Sequence, residues 1–140
     1  MICKLPVFAL GAAMALSACA TMPGEDASLV GKTWTVEDIS GRGVIDDARA
    51  TLVFGSDGRV SGDTSCNRYF ADYRVDGAKL SIGQAGVTRR ACAPALMDQE
   101  RRFLEVLNAV DSFRIDPTRT LILSAPSGAT LTAQVETPAR

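Results

Sequence analysis

The sequence predicts an α+β fold in which a curved antiparallel sheet, or cracked β-barrel, wraps around one amphipathic helix. Short stretches that alternate between apolar and polar residues recur along most of the chain, and turns rich in Gly, Pro and Asp separate them. Residues 95–110 instead have the 3.6-residue periodicity of a helix. The strands are expected to pair antiparallel, because parallel neighbours need a much longer crossover than these turns provide.

Three strands are expected before the polar corner described below, and they span residues 32–39, 51–54 and 59–62. In the first strand Trp34 and Val36 share one face and polar residues occupy the other, which is the pattern of a half-buried strand. Residues 40–43 are typical of a turn, and residues 44–49 indicate an irregular link. The tetrapeptide Gly-Ser-Asp-Gly at 55–58 predicts a hairpin turn between the second and third strands.

A polar corner with Cys66 and Asn67 at its centre joins the third strand to the fourth. Asparagine suits a corner because its side chain bonds nearby backbone and tolerates left-handed φ angles. After the corner, one side of the fourth strand carries Tyr69, Ala71, Tyr73 and Val75. This strand ends at the Asp-Gly pair at 76–77, a strong hairpin signal, so residues 79–82 are its predicted partner.

The predicted helix at 95–110 contains no Gly or Pro and follows Pro94, a residue that the first helical turn tolerates. Its inner face is expected to carry Leu96, Glu100, Phe103, Leu104, Leu107 and Val110. Its outer face is expected to carry Asp98, Arg101, Arg102, Glu105 and Asn108. Three closing strands follow, at residues 112–116, 120–124 and 130–135. Sheet and helix together should bury Trp34, Phe54, Tyr69, Tyr73, Phe103 and Leu107.

The composition is that of one globular domain rather than of a disordered chain. The 140 residues are 46% hydrophobic and 22% charged, and the formal net charge is −1. The sequence contains no histidine, which excludes mechanisms that need an imidazole base and zinc sites that need imidazole ligands. No basic block favours nucleic acid as a partner. We therefore predict no metal, no cofactor and no enzymatic activity, and we expect a monomer.

The first 18 residues have the pattern of a secretory signal peptide. Lys4 precedes an apolar run at 5–16, which is shorter than the roughly 20 residues of a membrane-spanning helix. The run ends in Leu-Ser-Ala-Cys, which resembles the bacterial lipobox, so Cys19 is predicted to be acylated. The alternative is ordinary signal cleavage that leaves Cys19 as a free thiol.

Acylation of Cys19 would anchor the protein to a membrane, since two or more acyl chains form a stable anchor. Ala20 follows the cysteine where an aspartate would indicate inner-membrane retention, so we predict the periplasmic face of the bacterial outer membrane. Residues 19–28 are small, polar and broken by Pro-Gly, and they predict a flexible tether of about 15–20 Å. A single domain is placed at residues 29–136.

Cys66 and Cys92 have three possible uses, namely a disulfide, a metal site or a redox pair. Two cysteines without histidine cannot complete a tetrahedral zinc site, and their spacing is not the Cys-x-x-Cys of thioredoxin-like proteins. An oxidising envelope favours a structural bridge. We predict that Cys66 is bonded to Cys92 and that the bridge ties the corner to the start of the helix, with the other two readings as alternatives.

Four segments resemble the META domain family, which includes the heat-shock-associated lipoprotein HslJ. They are residues 31–34, the corner at 61–69, the Thr88–Cys92 segment and the helix residues 96–104. With the closing strands, the resemblance extends from residue 29 to about residue 134. The sequence departs from the family pattern at Ser65, where glycine is usual, and at Arg90, where methionine is usual.

The resemblance implies a cracked antiparallel barrel around a helix, a distant likeness to the pilot lipoproteins of type III secretion secretins, and no catalytic residues. Glu100 lies on the apolar face of the helix, where we expect a structural hydrogen bond to the corner near Asn67. The alternative is a carboxylate with an acid–base role. Arg89 and Arg90, near Asp98 and Glu100 in the sequence, indicate a solvated surface or helix cap, with an anion site as the alternative.

These observations predict a non-enzymatic envelope lipoprotein that acts through binding or assembly in the periplasm, with a link to envelope or heat stress. A hydrophobic ligand or an envelope protein is the expected partner, and the apolar interior of the barrel is the expected place for it. The alternative is a small hydrolase or an inhibitor-like module that uses carboxylates. That alternative lacks a visible nucleophile paired with a base.

Overall fold

The computed structural model describes residues 28–137. The predicted signal peptide, Cys19 and nearly all of the predicted tether lie outside the described residues. Ten strands follow in chain order: β1 Thr33–Ile39, β2 Arg42–Gly43, β3 Thr51–Phe54, β4 Arg59–Asp63, β5 Arg68–Asp76, β6 Lys79–Ile82, β7 Gly86–Val87, β8 Ser112–Ile115, β9 Thr120–Ser124 and β10 Thr130–Val135. The helix α1, Pro94–Ala109, lies between β7 and β8.

Eight of these strands form a closed antiparallel barrel, in the order β1-β3-β4-β5-β6-β8-β9-β10 and back to β1. Closure comes from β1 and β10, which pair from Trp34 with Val135 to Ile39 with Leu131. The α+β prediction with an antiparallel barrel is therefore confirmed, whereas the expectation of an incomplete barrel is corrected. The closing strands are nearly a hundred residues apart, and a local sequence pattern carries no information about their pairing.

The alternation in β1 breaks at a β-bulge between Val36 and Asp38. Trp34 and Val36 are buried as predicted, but beyond the bulge Ile39 is buried instead of Asp38. A bulge inserts one unpaired residue, and the following side chains then exchange faces. Strict alternation would have placed the Asp38 carboxylate inside the barrel, so the bulge keeps this charged group out of the core.

The barrel interior is a filled core rather than an open pocket. Twelve large side chains are almost fully buried there: Trp34, Tyr69, Phe54, Phe103, Leu29, Ile39, Leu52, Leu80, Leu107, Leu121, Leu123 and Leu131. Of the six residues expected in the core, only Tyr73 is half-buried. Its hydroxyl donates to Gly55 O at 2.6 Å. A filled interior moves any binding site to the surface of the domain.

One face of α1 packs on the barrel, and that face is centred differently from the predicted one. The buried helix residues are Gln99, Phe103, Val106 and Leu107, whereas Leu96 and Leu104 are only half-buried. The helix is therefore rotated about its axis relative to the predicted orientation. Polar Gln99 occupies a core position, whereas the apolar pattern had placed Leu96 and Leu104 in the core. Within residues 28–137, no helix has the length and apolar character needed to cross a membrane.

Tyr69 links the barrel core to a testable pH dependence. Its side chain is buried, and its hydroxyl donates to Thr51 O at 2.8 Å. Burial, with a smaller contribution from the charge of Asp63, raises the pKa of Tyr69 above its ordinary value of about 10. The folded state therefore holds this proton at pH values where the unfolded chain releases it. The contribution of Tyr69 to the free energy of unfolding is fully present below about pH 10 and is lost as the pH rises further.

We expect no contribution from a Tyr69 phenolate to absorbance at 295 nm while the protein stays folded in alkaline solution. Tyr69 should ionise together with the loss of the circular-dichroism signal. The variant Tyr69→Phe serves as the control, since it should remove the part of the absorbance change that Tyr69 contributes when the circular-dichroism signal is lost. Two phenolate steps with an unchanged circular-dichroism spectrum would contradict the burial of Tyr69.

Candidate functional site

The corner between β4 and β5 is a tight turn, in which Thr64 N donates to Asn67 O at 2.7 Å. Ser65 has a φ of 84°, a left-handed conformation that favours glycine. This explains why glycine is usual at that position in the family pattern that the sequence resembles. In this chain the serine gains a compensating contact, because its Oγ accepts a hydrogen bond from Gln99 Nε2 at 2.8 Å.

The disulfide between Cys66 and Cys92 is present, with Cα atoms 5.9 Å apart. It joins the corner to the segment just before α1, which is the connection that the sequence analysis predicted. Both sulfur atoms are used in the bridge, so neither serves as a metal ligand or as a free nucleophile in this state.

Asn67 is the buried centre of a hydrogen-bond network around the bridge. Its Oδ1 accepts hydrogen bonds from Arg90 N at 2.6 Å and from Thr88 Oγ1 at 3.0 Å. Its Nδ2 donates to the two carboxylate oxygens of Glu100 at 3.0 and 3.2 Å. One amide side chain therefore holds the segment before α1 on one side and the helix itself on the other.

Glu100 is half-buried at the point where α1 meets the corner. Besides the contacts with Asn67, its Oε2 accepts a hydrogen bond from the hydroxyl of Thr64, whose Oγ1 also accepts from Asn67 N at 2.8 Å. The structure thus brings together Asn67 and Glu100, the two polar residues singled out from the sequence. The carboxylate is used to fasten the helix to the corner.

Gln99 completes the corner, and sequence reasoning missed it. The side chain is fully buried, and Gln99 Oε1 accepts from Ile45 N at 2.9 Å while Nε2 donates to Ser65. A polar residue in a helix suggests an exposed position, and the predicted inner face of the helix therefore omits Gln99. The available signal was its spacing, since Gln99 precedes the core residues Phe103 and Val106 by four and seven positions.

Arg89 and Arg90 lie on a solvated surface, as the sequence analysis expected, and Asp98 pairs with neither of them. Asp98 pairs instead with Arg101 at 2.7 Å and Arg102 at 3.1 Å, as helix neighbours three and four residues apart do. Hydrogen bonds from Arg101 and Arg102 lower the pKa of Asp98 below its ordinary value. Arg89 and Arg90 are exposed, and neither forms an ion pair with any residue in the described range 28–137.

A cavity of about 530 Å³ lies between α1 and the segment that runs from β7 to the disulfide, and we call it the α1 groove. It is lined by Asn67, Ala85, Val87, Thr88, Arg89, Arg90, Ala91, Met97, Glu100 and Leu104. Met97 is 48% exposed, which is a high value for a large apolar side chain. The short strand β7, which the sequence analysis missed, forms one wall by pairing with β5 at Tyr69 and Phe70.

The part of the chain that the structure describes contains no candidate metal site. Among residues 28–137, no three His, Cys, Asp or Glu side chains are grouped closely enough to hold a metal ion. The corner combines a disulfide, an amide and a carboxylate that bond one another. Its geometry suits the fixing of one backbone segment against a helix.

Solved structures support the fold. An NMR structure of a protein from Burkholderia xenovorans is 27% identical, with a TM-score of 0.66 over 95% of this chain and 99% of that one. A second NMR structure is 23% identical, with a TM-score of 0.64 over 78% and 92% of the two chains. A DUF4847 family protein from Bacteroides vulgatus ATCC 8482 is 16% identical, with a TM-score of 0.59 over 79% and 96%. The last two likenesses concern the fold alone.

Family membership follows from the sequence itself. A comparison with curated proteins gives no match. The family model of the META domain matches residues 27–138, a range that contains the whole barrel, the corner and α1. The chain therefore belongs to the META domain family.

Proposed function

We propose that this protein is a non-enzymatic envelope lipoprotein that acts through binding or assembly in the periplasm. The observation that carries the proposal is that the polar residues of the corner bond one another. Asn67, Glu100 and the disulfide bond one another, which leaves no free nucleophile beside a base among them. The corner is then a rigid frame, and the α1 groove beside it is the contact surface.

The anchor is the second part of the proposal. Cys19 would carry the acyl chains, and the tether at 19–28 would hold the domain about 15–20 Å from the outer membrane. The likeness of the sequence to HslJ-type lipoproteins supports this arrangement and a link to envelope stress. A domain held near the membrane by a short tether meets other envelope proteins at a raised effective concentration.

We expect the mature protein to begin at Cys19 and to carry two or three acyl chains. Mass spectrometry of protein extracted from bacterial membranes should show the N-terminal peptide shifted by the acyl mass. Cys19→Ala should block processing at this site and displace the protein from the outer membrane. The matched control is Cys3→Ala, since Cys3 lies within the signal peptide and its loss should leave acylation intact. An unmodified Cys19 peptide from the membrane fraction would overturn the anchor.

The proposed function itself is tested by complementation of a deletion strain under envelope stress. The unaltered chain should restore growth, and the Cys19→Ala chain should fail to do so although its barrel folds. Equal rescue by both chains would show that the activity does not need the membrane, and the lipoprotein proposal would then be wrong.

The alternative function is a small hydrolase that uses a carboxylate. It is favoured by one observation, namely that Glu100 lines the α1 groove as well as contacting the corner. The two functions differ in what they require of this residue, because a hydrolase needs the charge and a frame needs only the hydrogen bonds.

A further inference from the structure

We propose that the α1 groove binds an extended, acidic protein segment, with carboxylates of the partner on Arg89 and Arg90 and an apolar side chain of the partner against Met97 and Leu104. The inference rests on the proposed binding function and adds the chemistry of the partner to it. Three features of the groove carry it: a partly uncovered apolar stripe, two exposed arginines that form no ion pair within residues 28–137, and a backbone that is fixed in advance.

The apolar stripe lies on α1. Met97 and Leu104 are seven residues apart and so lie on one side of the helix, two turns from each other. The barrel leaves this side partly uncovered, with Met97 about half exposed and Leu104 half-buried. Val87 on β7 stands on the opposite wall of the groove. An apolar side chain inserted here would remove all three from water.

The charge comes from Arg89 and Arg90. Both are exposed and lack an ion pair within residues 28–137, although Arg90 also lines a neighbouring cavity that contains the carboxylates of Asp47 and Asp63. Asp98 is held by helix arginines, and Glu100 accepts hydrogen bonds from the corner. Guanidinium groups bind carboxylates with two parallel hydrogen bonds, so this edge of the groove is complementary to acidic side chains.

The backbone that carries the two arginines is fixed in advance. Thr88 N donates to Arg68 O at 3.0 Å, and Arg90 N donates to Asn67 Oδ1 at 2.6 Å. The Cys92 disulfide holds the end of the same segment. A segment that is already ordered loses little conformational entropy on binding, which favours affinity. The corner network thereby acquires a role in presenting the arginines.

The walls favour a peptide over an acyl chain. Apolar positions such as Val87 and Ala91 are interspersed with polar ones such as Thr88 and Asn67. An acyl chain needs a continuous apolar wall, whereas an extended peptide presents side chains of alternating character on its two faces. The cavity of about 530 Å³ is also open to solvent, as docking of a longer chain requires.

The test measures fluorescence anisotropy of a labelled peptide, acetyl-Glu-Asp-Leu-Glu-Asp-amide, titrated with the mature protein in neutral detergent. The comparison peptide replaces every carboxylate by its amide. We expect the acidic peptide to bind about tenfold more tightly at low salt and to lose this advantage as salt rises. Equal binding of the two peptides would overturn the proposal.

Variants then locate the contact. Arg89→Gln with Arg90→Gln should weaken binding of the acidic peptide by about tenfold. Arg42→Gln with Arg114→Gln removes the same charge from exposed positions elsewhere and should change affinity by less than about twofold. Equal losses in the two pairs would show a general charge effect and contradict the groove.

A charge-reversal variant tests whether weaker binding comes from lost charge or from misfolding. Arg89→Glu with Arg90→Glu should reject the acidic peptide and accept the same peptide with Lys at its charged positions. Failure of this exchange in a protein of unchanged melting temperature would refute the contact. The outcome is separable from the proposed function, because acylation of Cys19 and complementation by the unaltered chain do not depend on these peptides.

Discussion

Replacement of Phe103 by Ala is expected to lower the free energy of unfolding by about 3–5 kcal/mol, which is the range for truncation of a large buried aromatic residue. Phe103 is fully buried on the inner face of α1, and its ring meets that of Tyr69 edge to face at 5.3 Å between centroids. The substitution removes apolar area from the core, leaves a cavity, and ends this ring contact. Function should fall through the loss of folded protein.

Urea denaturation followed by circular dichroism measures the effect. The matched control is Leu104→Ala, one residue further along the helix but only half-buried, for which we expect a cost of about 1 kcal/mol. Similar losses in the free energy of unfolding for the two variants would contradict the observed orientation of α1. They would favour the predicted orientation, in which Leu104 packs in the core.

Removal of the disulfide is expected to cost about 3–4 kcal/mol, by the chain-entropy estimate for a bridge between residues 26 apart. The double variant Cys66→Ser with Cys92→Ser should also loosen the segment that carries Arg89 and Arg90, since the bridge holds its end. Denaturant titration of residues 20–140, with and without the double substitution, gives the difference in stability in a chain that contains no other cysteine.

Thiol labelling checks the bridge independently. In a chain of residues 20–140, which contains only Cys66 and Cys92, protein denatured without reductant should contain no reactive thiol. Addition of reductant should then expose two. Two reactive thiols before reduction would show that the mature protein lacks the bridge and would remove the main support for the placement of the corner against the helix.

Elements bounded by local turn chemistry could be predicted from the sequence. The bounds of β6, β9 and β10 agree with the predicted strands. An Asp-Gly turn or a turn that contains proline precedes each of them, and this turn fixes where the strand begins. The alternation after the corner likewise placed Tyr69 and Ala71 inside. Helix α1 begins and ends one residue before the predicted bounds.

Long-range pairings and buried polar residues could not be predicted in this way. The contact of β1 with β10 joins the two ends of the domain, and strand β7 has only two residues, too few to show a period. Gln99 is buried because its amide is hydrogen-bonded to Ile45, in the link after β2, and to Ser65, in the corner, and these contacts belong to the tertiary structure.

The corner was the part of the candidate site that the sequence indicated best. The disulfide and the neighbourhood of Asn67 and Glu100 came from residue types placed at a corner and on a helix face. The α1 groove escaped prediction because its walls are residues that read as core or as solvated surface. In the structure the orientation of α1 leaves Met97 exposed, and Arg89 and Arg90, which form no ion pair within residues 28–137, line the same groove.

The central claim is that Glu100 holds the corner and takes no part in chemistry, and the variant Glu100→Gln tests it most directly. Glutamine can still accept from Asn67 and can donate to the Thr64 hydroxyl, so it keeps the shape of the network while removing the charge. The measurement is complementation of a deletion strain under envelope stress, with protein abundance and melting temperature recorded in parallel. The account predicts rescue close to that of the unaltered chain. Loss of rescue at normal abundance and normal melting temperature would contradict it and would favour a carboxylate mechanism.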